Sequence, residues 1–456
     1  MDRVLVELRR HAAAGAPGNA LPSVRELVTE LGVSPVTVSR ALAELARQGV
    51  VVTRPGAGTF IAERPRLQPR ASFDWQVVTL GAAPVVSDLE LLVGEAAPRS
   101  LVLNNGYMDA SLQPAAELAR AARRVLGGPG AWGRAPLDGL LELRSWFATQ
   151  AAPDVRASDV LLVQGGQAAI GTALRAVAQP GDSVLVESPT YLGAIAALRA
   201  AGLRPVPVPV DERGLRVDFL DAAFASTGAR VLYLQPCFSN PTGTLLGPER
   251  QVEVLRLARQ HNAFIIEDDY CRELSHREND SRSLLSQDSN GQVIYIRSLT
   301  KSIAPSMRVA AMVARGPVLT RLRSARIVDD FFVPRPLQEI ALEFVTSSGY
   351  ARHLRRLRTQ LGERMRLLVR LVRERLPRAR IPLVPEGGFS LWLELPPELD
   401  ELGLVRSAAE AGVVISAGRT WFPAEPNGPH LRLSVAAAGL AELEEGISRI
   451  ARLGVL

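Results

Sequence analysis

Six short apolar runs constrain this chain more than any other feature. They lie at 160–163, 183–186, 230–234, 263–267, 292–297 and 309–313, with helical stretches between them. Runs of this length suit strands, and strands alternating with helices build a mostly parallel sheet. The expected class from about residue 98 onward is therefore α/β, with helices on both faces of the sheet. In such sheets ligands sit beyond the carboxyl ends of the strands. Five of the runs are followed by residues with ligand-binding chemistry. These are Gly165-Gly166-Gln167, which opens a helix, Ser188-Pro189-Thr190-Tyr191, Asn240-Pro241-Thr242-Gly243, Glu267-Asp268-Asp269-Tyr270 and Ser298-Leu299-Thr300-Lys301. Taken singly, each is an ordinary turn or helix cap. Five in this order are not plausibly chance.

Lys301 is the only lysine; the other 52 of the 53 Lys and Arg residues are arginine. Arginine supplies charge and forked hydrogen bonds, but its guanidinium stays protonated in proteins. It cannot attack a carbonyl as a neutral amine, whereas a lysine can. A lysine kept in Ser298–Arg308 of an arginine-rich chain is thus a candidate for covalent capture of an aldehyde.

A chain of 456 residues exceeds one ordinary core and suggests two or three domains. The net charge is +6, of which residues 1–70, with ten Arg and six Asp or Glu, hold +4. A basic excess at one end points to a polyanion. The patterning there agrees. Ser23 and Glu26 have the spacing of a capping box. Val24, Leu27, Val28 and Leu31 follow as one buried helical face, and Gly32 ends the helix. Ser34 caps a second helix with Pro35 in its first turn. Val38, Ala41, Leu42 and Leu45 face inward, and Val36, Ser39, Arg40 and Arg47 outward. Two short helices joined by a tight turn form a helix-turn-helix, and Val50–Thr53 and Thr59–Ile61 around Arg54-Pro55-Gly56-Ala57-Gly58 form a hairpin wing.

This stretch, LPSVRELVTELGVSPVTVSRALAELARQGVVVTRPGAGTFIAE, resembles the winged-helix domain of the GntR family of bacterial transcription regulators. The resemblance covers residues 1–63 and implies contact with double-stranded DNA, an operator with two half-sites, through Arg25, Ser34, Thr37, Arg40 and Gly56. Where relatives often carry basic residues this chain has Pro35 and Ser39. Residues 64–97 read as a linker, a charged tether followed by the apolar Phe73, Trp75, Val77 and Val78, expected to dock on the domain that follows.

The five motifs resemble fold-type I aminotransferases dependent on pyridoxal 5'-phosphate, over residues 98–456. The resemblance implies that Lys301 holds the cofactor's aldehyde as a Schiff base and that Asp268 pairs with its pyridine nitrogen. It implies hydrogen bonds from Asn240 and Tyr270 to the ring oxygen and stacking by Tyr191. It assigns the phosphate to Gly166 and Gln167, Ser298, Thr300 and Arg308. Many relatives have serine where Gly166 stands. Trp132-Gly133-Arg134-Ala135-Pro136 sits where relatives reach the partner subunit's site, which favours a homodimer. A small α+β lobe is expected over about 345–456. In it Arg432 resembles the arginine that grips an amino acid's α-carboxylate.

A reader of this kind fused to such a domain resembles the MocR subfamily of GntR-type regulators. The resemblance implies a regulator that senses pyridoxal phosphate itself or an amino compound; the start, Met1-Asp2-Arg3-Val4, lacks a signal peptide's apolar core, so a cytoplasmic location is expected. A working aminotransferase is the alternative. Nothing in the two cysteines, Cys237 and Cys271, suggests a disulfide framework. Residues 350–380, expected as one helix over 352–380, hold eleven arginines and two glutamates. This is either a solvated face or a surface touching DNA through Arg355, Arg358 and Arg366.

Overall fold

The computed structural model describes residues 2–63, 73–80, 94, 97–277 and 282–456. The chain divides into two compact units, Met1–Ala83 and Pro84–Leu456. The linker lies mostly outside the described residues, as do the side chains of Val77 and Val78. Its described part includes a short helix, Asp74–Leu80, with Phe73 and Trp75 exposed.

In the first unit, α1 (Asp2–Ala14), α2 (Val24–Leu31) and α3 (Pro35–Arg47) precede a two-stranded ribbon of β1 (Val51–Arg54) and β2 (Gly58–Ile61). Leu8, Leu27, Val38, Leu42, Leu45 and Val51 form its core. The capping box forms as its sequence requires: Glu26 N–H donates to Ser23 Oγ at 3.3 Å, and Ser23 N–H to Glu26 Oε2 at 2.7 Å. Gly32 ends α2 at φ 63°, the left-handed region glycine enters without penalty. Ser34 Oγ accepts from Thr37 N–H at the start of α3. The expected buried face of α2 is narrower than its spacing implied. Leu27 is buried and Val28 and Leu31 are partly so, but Val24 is exposed, because the first helical residue projects beyond the core.

The second unit is built on an eight-stranded sheet. Its strands are β4 (Val160–Val163), β5 (Ser183–Ser188), β6 (Arg204–Asp211), β7 (Gly214–Leu215), β8 (Val231–Leu234), β9 (Phe264–Asp269), β10 (Val293–Ser298) and β11 (Ala310–Val313). Their order is β4-β11-β10-β9-β8-β5-β6-β7. The run β10-β9-β8-β5-β6 is parallel, and β11 is antiparallel to both neighbours. All six apolar runs are strands. Alternate residues feed two cores: Leu162, Leu185, Leu232 and Ile265 pack on one face, Val163, Val184, Val186 and Ile266 on the other. Strand β6 escapes the apolar pattern because Pro205, Pro207 and Pro209 interrupt it. Prolines lack ladder donors and belong at sheet margins, and only the two-residue β7 lies beyond β6.

The small lobe joins β12 (Ser390–Glu394), β15 (His430–Ser434) and β14 (Ser416–Ala417) in an antiparallel sheet. The helix Ser348–Arg375 packs with it through Leu357, Leu361, Met365 and Leu368. That helix stops short of Arg380: Pro377 disfavours a helical conformation in the residue before it. The lobe also takes a distant piece of chain. β3 (Leu101–Val102) pairs with β13 (Val413–Val414), and Leu103, Met108 and Leu112 enter its core. Of the arginines expected to face DNA, Arg355 and Arg366 are exposed, but Arg358 turns back to donate to the Glu273 carbonyl at 2.6 Å. Arg364 pairs with Asp109 at 2.6 Å. Among the described residues no helix is long and apolar enough to cross a membrane.

Candidate functional site

The carboxyl ends of β4, β5, β8, β9 and β10 open on one pocket, because parallel strands bring their following loops to the same edge. It is lined by Asn104, Gly106, Tyr107, Gly166, Gln167, Tyr191, Gln235, Asn240, Asp268, Tyr270, Ser298, Thr300, Lys301, Arg308, Phe389, Trp421 and Arg432, among others. All eleven residues expected at a cofactor or carboxylate site are therefore gathered in one place. The empty space, counting its open mouth, is about 840 Å³.

One end suits an anion. Helix Gly166–Val177 starts here, and its first N–H groups have no intrahelical acceptors. Ser298 Oγ donates to Thr300 Oγ1 at 3.0 Å, and Arg308 reaches Thr300 Oγ1 at 3.4 Å and the Gln164 carbonyl at 3.0 Å. Arg308 itself holds a left-handed backbone, φ 46°. Gly165, at φ 90°, makes room for it: a Cβ there would lie 2.5 Å from the guanidinium. At Gly166 a Cβ would meet only Ser298 Cβ at 3.8 Å, so a serine would fit where glycine stands. Gln167 turns its side-chain amide to the Gly193 carbonyl at 2.7 Å and leaves its backbone to the helix start.

The floor is a buried polar network. Asp268, at the end of β9, receives Tyr233 Oη and Gln235 Nε2 on the same oxygen, each at 2.7 Å. Gln235 Oε1 accepts from Asn240 N–H at 2.9 Å, and Asn240 Oδ1 accepts from Arg432 Nε at 2.9 Å. Tyr270 lines the pocket but gives its hydroxyl proton to the Phe238 carbonyl at 2.8 Å. A bond from Tyr270 to a ring oxygen would have to compete with that one.

At the other end Arg432, on β15, is buried over the Trp421 ring, 4.6 Å from its centroid. Its remaining nitrogens donate to the Asn104 carbonyl at 2.7 Å and Ser390 Oγ at 2.8 Å. Three neutral acceptors hold it, and no carboxylate pairs with it among the described residues. Lys301 Nζ sits between these ends, 3.9 Å from the centroid of the Tyr107 ring.

A family model for aminotransferase class I and II matches residues 101–450, and one for bacterial regulatory proteins of the gntR family matches residues 3–61. The HTH-type transcriptional regulator YdfD of Bacillus subtilis is 30% identical over 94% of this chain and 90% of its own. The probable rhizopine catabolism regulatory protein MocR of Rhizobium meliloti is 27% identical over 99% and 93%. Among solved structures, the α-aminoadipate aminotransferase LysN of Thermus thermophilus, complexed with N-(5'-phosphopyridoxyl)-L-leucine, matches with a TM-score of 0.75. It is 30% identical over 81% of this chain and 94% of that one. The chain belongs to the MocR subfamily of GntR-type transcription regulators.

In this MocR-type regulator, burial and the nearby Arg432 and Arg308 push the Lys301 amine down to about 7, so a large share of it is neutral near neutral pH. Burial raises Asp268 to about 6, against the pull of the bonds from Tyr233 and Gln235. Burial likewise raises Glu187, which accepts from Gln235 N–H at 2.8 Å, to about 8. Arg432 falls to about 10 for the same reason. Cys237 and Cys271 are both buried, and burial pushes both thiols up, away from reactivity.

Of the residues expected to contact DNA, Arg25, Ser34, Arg40 and Gly56 are exposed and Thr37 is half-buried at the start of α3. Trp132 is exposed, and none of Trp132–Pro136 lines the pocket. The sequence reading missed Tyr233 and Gln235, although their spacing of two at the end of an apolar strand suits one face. It also missed Asn104, Gly106, Tyr107, Phe389 and Trp421, which come from parts of the chain with no strand-end motif.

Proposed function

We propose that this regulator carries pyridoxal 5'-phosphate on Lys301 and uses the same pocket to sense an amino compound bearing a carboxylate. The residues present fit the cofactor. The glycine at 165 that leaves space for Arg308, the helix start at Gly166, Ser298 and Thr300 would hold a phosphate. Asp268 would face the ring nitrogen, Asn240 the ring oxygen and Tyr191 the ring face. When bound, the cofactor supplies an aldehyde open to amines and an electron-withdrawing ring.

The observation that carries this reading is Lys301: the chain's only lysine, its affinity for a proton lowered by burial, lies in a pocket with an anion cradle at one end and Arg432 at the other. Arg432 is a buried cation with only neutral acceptors, and a carboxylate would satisfy it better than they do. Because it lies on a small-lobe strand, a carboxylate gripped there pulls on that lobe. A sensor works only if its ligand favours one arrangement of the protein over another. Exposed Trp132, Val328 and Phe331 support a second copy as partner, and the absence of a membrane-spanning helix among the described residues agrees with a cytoplasmic home.

The test is uptake of pyridoxal 5'-phosphate by the purified full chain, followed by visible absorbance, borohydride reduction and peptide mapping. A reduced adduct on Lys301, with an absorbance that one carboxylate-bearing amine in a panel alters, supports the proposal. No adduct at Lys301, or an adduct indifferent to every amine, overturns it. Saturating cofactor that shifts DNA binding with no added amine would favour the regulator that senses the cofactor alone.

A further inference from the structure

Gln235 stands at the junction of the buried network. Its side-chain N–H group donates to Asp268 Oδ2 at 2.7 Å, and its side-chain oxygen accepts from Asn240 N–H at 2.9 Å. Its own backbone N–H is held by Glu187 Oε2 at 2.8 Å. The residue is almost wholly buried, as are Glu187 and Asp268. An amide is the group that can serve both neighbours at once, because one end donates and the other accepts. Tyr233 touches only one of them: its hydroxyl donates to the same Asp268 oxygen. Both donors converging on one oxygen leave the other oxygen of Asp268 free for a partner in the pocket. Asn240 in turn presents Oδ1 to Arg432 Nε. A continuous chain of hydrogen bonds thus runs from Asp268 through Gln235 and Asn240 to Arg432.

We propose that Gln235 is a positioning residue that sets Asp268 and Asn240 together, and so ties the ring-nitrogen end of the pocket to its carboxylate end. The inference rests on the cofactor reading above. Fixing Asp268 orients its free oxygen. Fixing the Asn240 backbone fixes where its side-chain oxygen holds Arg432. A half-satisfied network costs more than its separate bonds suggest, so loss of the junction is felt at both ends.

The test uses the full chain and two non-covalent probes. Pyridoxine 5'-phosphate reports the ring and phosphate end. N-(5'-phosphopyridoxyl)-L-leucine adds a carboxylate, and the ratio of the two affinities isolates the Arg432 end. Gln235→Met keeps the volume and removes both bonds. It is expected to weaken pyridoxine phosphate roughly tenfold and to lower the affinity ratio roughly tenfold as well. Tyr233→Phe breaks only an Asp268 bond, so it weakens pyridoxine phosphate and leaves the ratio unchanged. Gln235→Glu still accepts from Asn240, and its buried carboxyl, lying against that of Asp268, shares a proton with it; the ratio is therefore expected to stay at the parent's value. If Gln235→Met fails to fold, the contrast of Gln235→Glu with Tyr233→Phe still decides: a ratio that falls in the glutamate variant overturns the proposal. So does a Gln235→Met protein that binds both probes like the parent. Failure of the parent to bind either probe would instead overturn the cofactor reading.

Discussion

The two units place their chemistry in opposite ways. In the gntR-type unit the residues expected to touch DNA lie within 32 positions of sequence, from Arg25 to Gly56, and nearly all are exposed. In the aminotransferase-like unit the pocket draws on residues from Asn104 to Arg432, and Asp268, Asn240, Ser298, Thr300 and Arg432 are buried. An exposed contact can be altered without disturbing the core. A buried polar group cannot, because its neighbours have been removed from water on its account. The reader's function and stability should therefore be separable by mutation, and the pocket's should not.

The largest expected effect is in the buried scaffold under the pocket. Arg297, on β10, whose following turn carries Lys301, donates Nε to Glu273 Oε1 at 3.0 Å, and both side chains are almost inaccessible. Arg297→Leu leaves a buried carboxylate unpaired, at a cost of about 3–5 kcal/mol. Two calorimetric transitions would show it: the larger unit's should fall steeply while the smaller unit's stays in place. A shift of both transitions would refute the separation.

Lys301 joins function to stability directly. Its folded value, about 7, lies below the ordinary 10.5. Between those values the unfolded chain holds a proton that the folded chain does not, so stability rises with pH across that window. Lys301→Met removes this contribution. The variant should exceed the parent in stability at pH 7, and the margin should shrink as pH approaches 10. Covalent cofactor uptake by the parent should be half-maximal near pH 7. Uptake that rises only near pH 10 would mean the pocket does not depress the amine.

The same contrast explains what could be read from residues alone. Strand periodicity and the loops that follow each strand are local, so all six apolar runs and the motif residues were recognisable before any fold was known. Helix caps at Ser23 and Ser34 are local too. What escaped reading depends on tertiary closure. Tyr107 reaches Lys301 only because β3 joins a lobe whose other strands lie some 300 residues later. Gln235 looks like the ordinary polar end of an apolar strand until Asp268 is beside it. Proline-rich β6 hides its strand because only its place at the sheet margin makes the prolines tolerable. Arg358 looked like surface charge, and a carbonyl on the opposing segment turned it inward.

On the reader, Arg40→Ala should weaken binding to a selected operator duplex roughly tenfold and make the salt dependence shallower by about one unit of slope. Neither unit's melting should change, since Arg40 is exposed on α3. An unaltered salt slope, measured by fluorescence anisotropy across salt concentrations, would remove Arg40 from the phosphate contacts.

The smallest expected effect probes the boundary between the two kinds of site. Ser23 belongs to no DNA contact named above, but its hydroxyl accepts from Glu26 N–H and its own N–H is held by Glu26. Ser23→Ala removes one of these bonds, at a cost of about 1 kcal/mol. For a unit this small, that should lower the melting midpoint by about 4–8 °C. Arg25 follows the cap by two residues. If the cap only stabilises α2, DNA affinity at 25 °C stays at the parent's value, because the unit remains almost wholly folded. If affinity falls while the folded fraction does not, the cap also aims Arg25, and even this local surface site would share the coupling of place and stability seen in the pocket.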